Sequence, residues 1–495
     1  LVPSFGYPPS DALFTMGLDG DHREQVIPVG RLAARNDQQV LDYLAKVQQL
    51  EAQQSVPAAW MKNILHFRGG FTTEELVLFQ STLDQYRTIA EDTCFTGKVT
   101  QFVKNPDDLI SQAAADSVSD LIQQGVTLMT FFAHASGGGF DISIDQPNNY
   151  QWNGRYPFMI GNSCYTGNIH LPSCGSGSEQ FVMPAGAGAI AFIASIDLAL
   201  AQYLSLITRE FYASFAHANY GGTIGRHIQY ADSVFLHNVP PDDDITHLTY
   251  WTTAQQFTLQ GDPVLRMNSP LVPELAITAN DVRLLPDPVT ADVDSFVVEA
   301  TVRNLANACR CPRFPVAVKR QFGQGQQYTL VDSLVLDSFE RTLPFTLPVL
   351  ADSGGAGVNN LTVEVDLQEL PVGLVDEYED VANNSVTRQF IVVSGDIIPA
   401  DPYNFAITPD PAPMLRASTG DPFAPVRNYV FQIDTTDTYD SPMMEHTTVS
   451  APGGVVSWQP QGIYSLNQGQ DSLVFYWRCA VDSVGNNGYE WKEFS

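Results

Sequence analysis

Segments 128–134 (LMTFFAH) and 158–164 (FMIGNSC) decide the fold of this chain. Each is a short apolar run without helical spacing, and each ends in a side chain that can do chemistry. Helical patterns separate such runs, and this alternation predicts a parallel sheet flanked by helices. Active sites of these sheets lie at the carboxyl ends of the strands. We therefore expect His134 and Cys164 side by side at one edge of the sheet.

Segments of the same two kinds continue the pattern on both sides. Apolar runs predict further strands at 63–67, 98–103 and 189–195. Helical spacing predicts helices at 38–53 and 73–90, and a third helix is expected to begin at Pro106 and to end before Gly125. The pattern Thr72-x-x-Glu75 is typical of a capping box at a helix start.

After about residue 270 the helical spacing disappears and strict alternation of apolar and polar residues replaces it. This change predicts half-buried antiparallel strands, and therefore two β-sandwich modules after the α/β domain. The predicted strands are 296–303, 315–320, 361–367 and 388–393, followed by 429–434, 455–458 and 472–478. The predicted domains are the α/β domain at 1–270 and two β-sandwich modules at 271–396 and 397–495. Both modules are expected to be of Ig-like or adhesion type, and the last one is expected to be incomplete.

The strongly acidic composition disfavours some classes of binding partner. The 495 residues include 25 Lys and Arg against 55 Asp and Glu, a formal net charge of -30. Nucleic acids need clustered cations and anionic membranes repel such a chain, so both are disfavoured. The mostly apolar stretch 186–196 is about half the roughly 20 residues that a membrane span needs.

Two acidic runs, 242–244 and 376–380, are expected to form solvated surface that keeps the protein soluble. Calcium is a candidate structural ion for such runs, because hard cations bind carboxylate oxygens. No other cofactor is predicted.

A cysteine nucleophile needs a nearby imidazole, which lowers its thiol pKa and later protonates the leaving amine. His134 and Cys164 fit these two roles. The intervening glycines at 137–139 leave room for a substrate.

Both side chains also fit roles without catalysis. His134 can be an ordinary polar residue after a strand, and Cys164 can be a disulfide partner of Cys174. His170 and His66 are rival bases.

The six cysteines are too few for a disulfide scaffold and lack the paired spacing of zinc sites. Cys309 and Cys311 are too close in sequence to bridge each other easily. Both are therefore expected as thiols.

Six segments form an ordered set of motifs over about residues 1–268. They are 2–15, 27–32 (IPVGRL), 130–134 (TFFAH), 164–168 (CYTGN), 186–190 (GAGAI) and 259–263 (LQGDP). This set resembles the gingipain family of cysteine peptidases, and in particular its sortase-like members in the type IX secretion system, the PorU-like proteins.

This resemblance implies a caspase-like fold, protein substrates and a thioester mechanism. It implies His134 as the base, Cys164 as the nucleophile, and the backbone N–H groups of Cys164 and Ala135 as the oxyanion hole. The family usually has glycine where Ala135 stands. Some members orient the histidine with an acidic residue just before a Gly-Gly pair, where this chain has Arg68. Glu75 is a weaker candidate for that orienting role, and helix capping is its favoured role.

The implied function is cleavage of the carboxy-terminal signals of exported proteins outside the cytoplasm, in association with the outer membrane. A barrel protein of that membrane is a candidate partner. The thioester can be hydrolysed by water or resolved by an amine of a lipopolysaccharide acceptor. The alternatives are a freely secreted protease of the gingipain kind, and a surface scaffold or adhesin whose His/Cys dyad has decayed.

Overall fold

The computed structural model describes most of the chain. The described residues are 4, 6–18, 20, 24–105, 107, 111–112, 115–136, 139–144, 146–170, 175–239, 244–291, 293–323, 325–366, 375–378, 383–393, 395–410, 412–462, 472–482, 489 and 491–494. Parts of several predictions lie outside these ranges, namely residues 2, 3 and 5, residues 106, 108–110 and 113–114 of the predicted third helix, Gly137, Gly138, Cys174, Leu367 and the acidic residues 242–243 and 379–380.

The first 270 residues contain helices and mostly short strands. The helices are α1 (Asp37–Gln53), α2 (Thr73–Glu91), α3 (Ala115–Gln124), α4 (Gly177–Val182), α5 (Ala201–Ala213), α6 (Ile224–His237) and α7 (Asp244–Gln256). The strands are β1 (Asn63–Arg68), β2 (Lys98–Val103), β3 (Ser111–Gln112), β4 (Leu128–Phe132), β5 (Ala135–Ser136), β6 (Gly139–Phe140), β7 (Ile142–Ser143), β8 (Phe158–Asn162), β9 (Ala191–Ser195) and β10 (Phe257–Gln260).

Six of these strands form the main sheet, in the order β10-β9-β8-β4-β1-β2. All neighbours are parallel except β9 and β10, which are antiparallel. β4 and β8 are entirely buried, as their continuous apolar runs require. The predicted α/β sheet flanked by helices is confirmed.

Helices α2 and α5 pack side by side on one face of this sheet. Tyr86 of α2 stacks on Tyr212 of α5 with ring centroids 4.8 Å apart, and both rings contact His66 of β1. The Tyr212 hydroxyl also hydrogen-bonds Thr130 of β4 at 2.7 Å. A buried polar layer therefore lies under these helices.

The predicted helices at 38–53 and 73–90 agree with α1 and α2 to within one residue at each end. The capping box of α2 is confirmed, with Thr72 and Glu75 bonding each other's amides. The predicted start of the third helix is wrong, because α3 begins at Ala115. The chain is still extended at β3, which pairs with β7, and the apolar spacing of Val118 and Ile122 begins only afterwards.

Antiparallel strands form the rest of the chain. They are β11 (Leu275–Ala276), β12 (Val282–Leu285), β13 (Val289–Thr290), β14 (Ser295–Asn304), β15 (Phe314–Phe322), β16 (Gln326–Leu334), β17 (Glu340–Pro348), β18 (Gly357–Val365) and β19 (Ser385–Val393), followed by β20 (Ile397–Asp401), β21 (Leu415–Thr419), β22 (Arg427–Asp434), β23 (Glu445–Ala451), β24 (Val455–Trp458), β25 (Tyr476–Val481) and β26 (Lys492–Phe494). One parallel pairing, β13 with β19, interrupts the antiparallel pattern.

These strands form four sheets that pack face to face in two pairs. β11-β14-β12 with β17 faces β13-β19-β18-β15-β16 across one hydrophobic core, and β20-β21-β24 faces β23-β22-β25-β26 across another. The side chains alternate between buried and exposed along β14 and β18. This arrangement agrees with two β-sandwich modules, while the exact domain boundaries at 270 and 396 stay predictions.

A disulfide joins Cys94, just after α2, to Cys309 in the first sandwich. The expectation that Cys309 is a thiol is therefore wrong. The short Cys309-x-Cys311 spacing forbids only a bridge between these two residues, and the partner of Cys309 lies 215 residues away in sequence. Cys311 is a free, half-buried thiol, as expected.

Lys62 strengthens the same junction. Its buried ammonium group donates to the carbonyls of Phe95 and Ala306, the second at 2.6 Å. Lys62 and Cys94 precede strands β1 and β2, so the first sandwich meets the α/β domain at the amino ends of the strands. The carboxyl edge, where His134 and Cys164 lie, is the opposite one.

In the described part of the chain, no helix combines the length and the apolar character that crossing a membrane requires.

Candidate active site

Strands β4 and β8 bring His134 and Cys164 to the same edge. Phe132 pairs with Asn162 across these parallel strands, and the amide of Ala133 donates to the carbonyl of Asn162 at 3.3 Å. His134 and Cys164 each lie two residues beyond this pair. The predicted adjacency of the two strand ends is confirmed.

Cys164 is a free, half-buried thiol. Its Sγ lies 3.5 Å from both the amide nitrogen and the carbonyl oxygen of Ala199. The carbonyl can accept from the thiol, and the N–H can donate to the thiolate, so both forms of the sulfur have a partner. The alternative bridge to Cys174 involves a residue outside the described part.

The turn after Cys164 is hydrogen-bonded to the end of β9. The amides of Tyr165 and Gly167 donate to the carbonyls of Asp197 (3.2 Å) and Ser195 (2.9 Å). Tyr165 has φ of 63°, which non-glycine residues rarely adopt. A Cβ on Gly167 would lie 2.4 Å from the carbonyl oxygen of Ala194. Glycine at this position is therefore required for the close approach.

Aromatic rings hold the imidazole of His134. The ring stacks on Phe71 with centroids 5.0 Å apart at an interplanar angle of 27°, and it contacts Phe79 at 5.9 Å. The His134 side chain is still 43% exposed. The imidazole is thus packed on its faces and partly open toward solvent.

Glu75 serves two purposes. One carboxylate oxygen, Oε1, lies 3.0 Å from His134 Nε2, and Oε2 accepts the amides of Phe71 (3.0 Å) and Thr72 (3.1 Å). Burial acts to raise the pKa of Glu75, but the two amide hydrogen bonds and the contact with His134 outweigh it and lower the pKa overall. Capping and contact with the imidazole therefore coexist in one carboxylate.

A carboxylate beside Nε2 favours the tautomer that carries its proton on that nitrogen. The lone pair of His134 Nδ1 is then available to a thiol. Glu75 contacts the predicted base, and the Ala199 backbone contacts the predicted nucleophile; the catalytic roles of His134 and Cys164 stay predictions.

The other candidates lie in different surroundings. Arg68, at the position of the family's acidic residue, donates to Gln80 of α2 at 3.4 Å. His66 is fully buried, and burial, with a contribution from Arg87, lowers its pKa to about 3. Its Nε2 bonds Tyr212 inside the fold, so His66 is not at the catalytic edge.

His170, the second rival base, lies in the loop after Cys164. Its Nδ1 is hydrogen-bonded to the hydroxyl of Ser4. Burial lowers the pKa of His170, opposed by Asp11 and assisted by Arg31. One ring nitrogen is therefore already engaged by the amino-terminal segment.

The two predicted oxyanion donors are the backbone amides of Ala135 and Cys164. Ala135 follows His134 directly and begins β5, which pairs with β6. Among the described residues, none accepts a hydrogen bond from the amide of Cys164. The oxyanion role of both groups stays a prediction.

One group of three side chains in the described part has the spacing to hold a metal ion, namely Cys94, His217 and Cys309. Its two sulfurs already form the disulfide. This group is at the domain junction and has no place in the peptide chemistry.

Sequence reasoning missed Phe71, Ala199, Lys104 and Asp141, which all lie around the dyad. Phe71 stands directly before the capping box, and this position was its one signal in the sequence. Ala199, Lys104 and Asp141 come near the dyad only through the fold, in loops after β9, β2 and β6.

The profile of peptidase family C25 matches residues 1–268, which is more than half of the chain. The chain belongs to peptidase family C25. This is the gingipain family, and the protein is accordingly a caspase-like cysteine peptidase.

Solved structures resemble this C25 peptidase at low identity. The Arg-specific cysteine proteinase gingipain R (RgpB) is 14% identical with a TM-score of 0.43, covering 79% of this chain and 81% of its own. The complex of Porphyromonas gingivalis RgpB pro- and mature domains is 13% identical with a TM-score of 0.43, covering 79% and 83%. A search of curated protein sequences found no significant match.

Proposed function

We propose that this C25 peptidase is an extracytoplasmic endopeptidase of the type IX secretion system that cleaves the carboxy-terminal signals of exported proteins. The contact between Glu75 and His134 carries the catalytic part of the proposal. A scaffold without activity has no need of a carboxylate beside an imidazole at a strand end whose neighbouring strand leads to a free thiol.

The reaction uses Cys164 as nucleophile and His134 as base. His134 Nδ1 takes the thiol proton, and Sγ attacks the carbonyl carbon of the scissile bond. The amides of Cys164 and Ala135 stabilise the negative charge on the carbonyl oxygen, a contribution of about 3 kcal/mol for each donor. The imidazolium then protonates the leaving amine as the C–N bond breaks, which leaves a thioester.

Either of two nucleophiles completes the cycle. Water releases a carboxylic acid, and an amine forms a new amide bond. In both cases Sγ leaves and recovers its proton through His134. A half-exposed imidazole admits either nucleophile to the acyl-enzyme.

The placement outside the cytoplasm is supported by the disulfide between Cys94 and Cys309, because disulfides persist in oxidising compartments. The type IX role is supported by the motif set that the chain shares with the PorU-like proteins. A barrel of the outer membrane is the proposed partner, for which the sandwiches offer polar sheet faces.

Exposed apolar side chains flank the dyad and favour a polypeptide substrate. Phe71 packs on the imidazole, and Leu198 and Leu200 stand on either side of the Ala199 backbone that contacts Sγ. All three expose large apolar surface. We expect preferred substrates to carry apolar residues next to the scissile bond.

Calcium as a structural ion stays a proposal. Its candidate run includes Glu377, whose carboxylate accepts the Leu275 amide and the Asn384 side chain. A rise of the melting temperature on adding calcium after treatment with a chelator supports the ion, and an unchanged melt contradicts it.

An activity-based probe tests the peptidase proposal. A peptidyl acyloxymethyl ketone should label Cys164 in the intact protein, and Cys164→Ala and His134→Ala should each abolish labelling. Labelled protein that also removes the carboxy-terminal signal from an exported protein, and that purifies with an outer-membrane barrel, supports the full proposal. Labelling without the barrel favours a freely secreted protease, and no labelling favours the decayed scaffold.

A further inference from the structure

The turn that carries Phe71 is held by two buried charged residues that the reaction does not use. Lys104 follows β2 and is 1% exposed, and Asp141 follows β6 and is 5% exposed. Their side chains approach each other at 3.9 Å between Nζ and Oδ2. Burying a charge costs free energy unless the charge is paired and hydrogen-bonded. The contacts of Lys104 and Asp141 must therefore offset this cost.

Both residues hydrogen-bond the backbone of Gly70. Lys104 Nζ donates to the Gly70 carbonyl at 2.9 Å, and Asp141 Oδ2 accepts the Gly70 amide at 2.9 Å. The preceding residue, Gly69, has no room for a side chain, because a Cβ there would lie 2.1 Å from Asp141 Oδ1. The turn is therefore fixed from both sides.

Asp141 also contacts His134 directly, and Lys104 contacts it through the Phe71 ring. The amide of Asp141 donates to the carbonyl of His134 at 2.8 Å. Lys104 Nζ lies 4.3 Å from the centroid of the Phe71 ring, which stacks on the imidazole. A cation near the ring of Phe71 is attracted to its π electrons. Phe71 is thus held by Lys104 while it packs on His134.

We propose that Lys104 and Asp141 are a positioning pair for His134. Asp141 fixes the backbone of the base. Through Gly70, the pair fixes the turn that places the Phe71 ring on the imidazole and the amides of Phe71 and Thr72 on the Glu75 carboxylate. This inference rests on the proposed function, in which His134 is the base.

The test compares Lys104→Met with Lys46→Met in the full chain. Lys46 is an equally buried lysine of α1 whose ammonium group donates to the carbonyls of Val182, Ala187 and Ala189, away from the dyad. Both variants lose buried hydrogen bonds and should melt at lower temperature. Iodoacetamide is the probe, and the rate at which it alkylates Cys164 is followed from pH 5 to pH 9 at a temperature where each variant is folded.

We expect Lys104→Met to slow alkylation at pH 6 by about tenfold or more, comparable to His134→Ala, with the rate recovering only at high pH. Lys46→Met should keep the pH profile of the wild type. Asp141→Asn retains an acceptor for the Gly70 amide but removes the charge opposite Lys104, and it should shift the profile in the same direction. If Lys104→Met does not fold, Asp141→Asn decides by the same readout.

A wild-type pH profile in the folded Lys104→Met or Asp141→Asn protein would overturn the positioning role and leave the pair purely structural. Failure of the proposed function gives a different result. In that case Cys164 of the wild type would itself show no preferential alkylation at pH 6.

Discussion

Glu75 Oε1 lies 3.0 Å from His134 Nε2, and the other oxygen of the same carboxylate caps helix α2. The helix start is thereby connected directly to the imidazole. In the proposed reaction, a charged carboxylate at this position stabilises the imidazolium that His134 becomes when it takes the proton of Cys164. Capping alone requires only an acceptor, whereas this electrostatic role requires the charge.

Substitution Glu75→Gln separates these two roles. Glutamine is a normal capping-box residue, so the helix start should remain and the melting temperature should change little. Loss of the negative charge beside Nε2 should lower kcat by about ten- to a hundredfold, less than the roughly hundred- to ten-thousandfold contribution of an acid–base group itself, because the base remains. Steady-state kinetics on a peptide substrate, or the rate of probe labelling, measures the effect.

Thr72→Ala is the matched control. It removes the side chain that accepts the amide of Glu75, which should cost about 1 kcal/mol of stability. The carboxylate and its contact with His134 remain, so the rate should stay within about threefold of the wild type. Equal activity of Glu75→Gln and the wild type would reduce Glu75 to a helix cap.

The strand ends were predictable because buried parallel strands are continuous apolar runs. The runs at 128–134 and 158–164 therefore placed His134 and Cys164 correctly at neighbouring tips. The capping box was equally local, since Thr72 and Glu75 lie three residues apart. The second role of Glu75 is its contact with His134, which depends on the conformation of the turn at Gly69 and Gly70. No local sequence pattern predicts that conformation.

The disulfide likewise could not be predicted from local sequence patterns. Nothing near Cys94 or Cys309 indicates the other, because the docking of two domains brings them together. The start of α3 was misjudged for a local reason. Proline at position 106 is a common first helical residue, but strand β3 follows before the helical spacing begins.

The free cysteines are expected to differ strongly in reactivity. Burial, with Glu377 and Asp366 nearby, raises the pKa of Cys311 to about 12, and burial raises the pKa of Cys479 to about 12. Both should resist iodoacetamide at pH 6 to 7. Cys164 has Ala199 N–H as donor and His134 as base, and it should be alkylated first, as peptide mapping by mass spectrometry can show.

His134→Ala is the control for this order. It should bring the alkylation rate of Cys164 at pH 6 down toward that of Cys311. If Cys164 reacts no faster than Cys311 in the folded wild type, the catalytic dyad is decayed.

The junction between the first two domains should contribute stability without affecting catalysis. The double variant Cys94→Ser with Cys309→Ser removes a cross-link over 215 residues, and we expect a loss of about 2 to 5 kcal/mol. Both residues lie at the amino ends of the strands, opposite the dyad. Probe labelling of Cys164 should therefore stay unchanged while chemical denaturation shifts to lower urea concentration.

Lys62→Met offers a comparison at the same junction. It removes the hydrogen bond to Ala306 and keeps the disulfide. It should also destabilise the protein without slowing the probe. Loss of labelling in folded protein of either variant would mean that the sandwich influences the active site.

Asp232 of α6 should make the stability of the protein depend on pH. Burial raises the pKa of this carboxyl to about 8, opposed by the hydrogen bond from Gln25 and assisted by Glu24. In the unfolded chain the same group ionises near its ordinary value of 3.8. Between about pH 4 and pH 8 the folded state therefore holds a proton that the unfolded state has released. The resulting stabilisation is fully present below pH 4 and is lost as the pH rises through about 8.

Asp232→Asn removes the proton release but keeps a neutral polar group beside Gln25. We expect its melting temperature to fall less steeply from pH 5 to pH 8.5 than that of the wild type, and to exceed the wild-type value by about 3 °C or more at pH 8.5. Asp42 of α1 is half-buried on a different helix, and Asp42→Asn is the control that should keep the wild-type slope. Differential scanning calorimetry across this pH range measures all three proteins. Parallel slopes for Asp232→Asn and the wild type would show that Asp232 is already ionised in the fold, and that Gln25 stabilises its charge better than the burial of the site suggests.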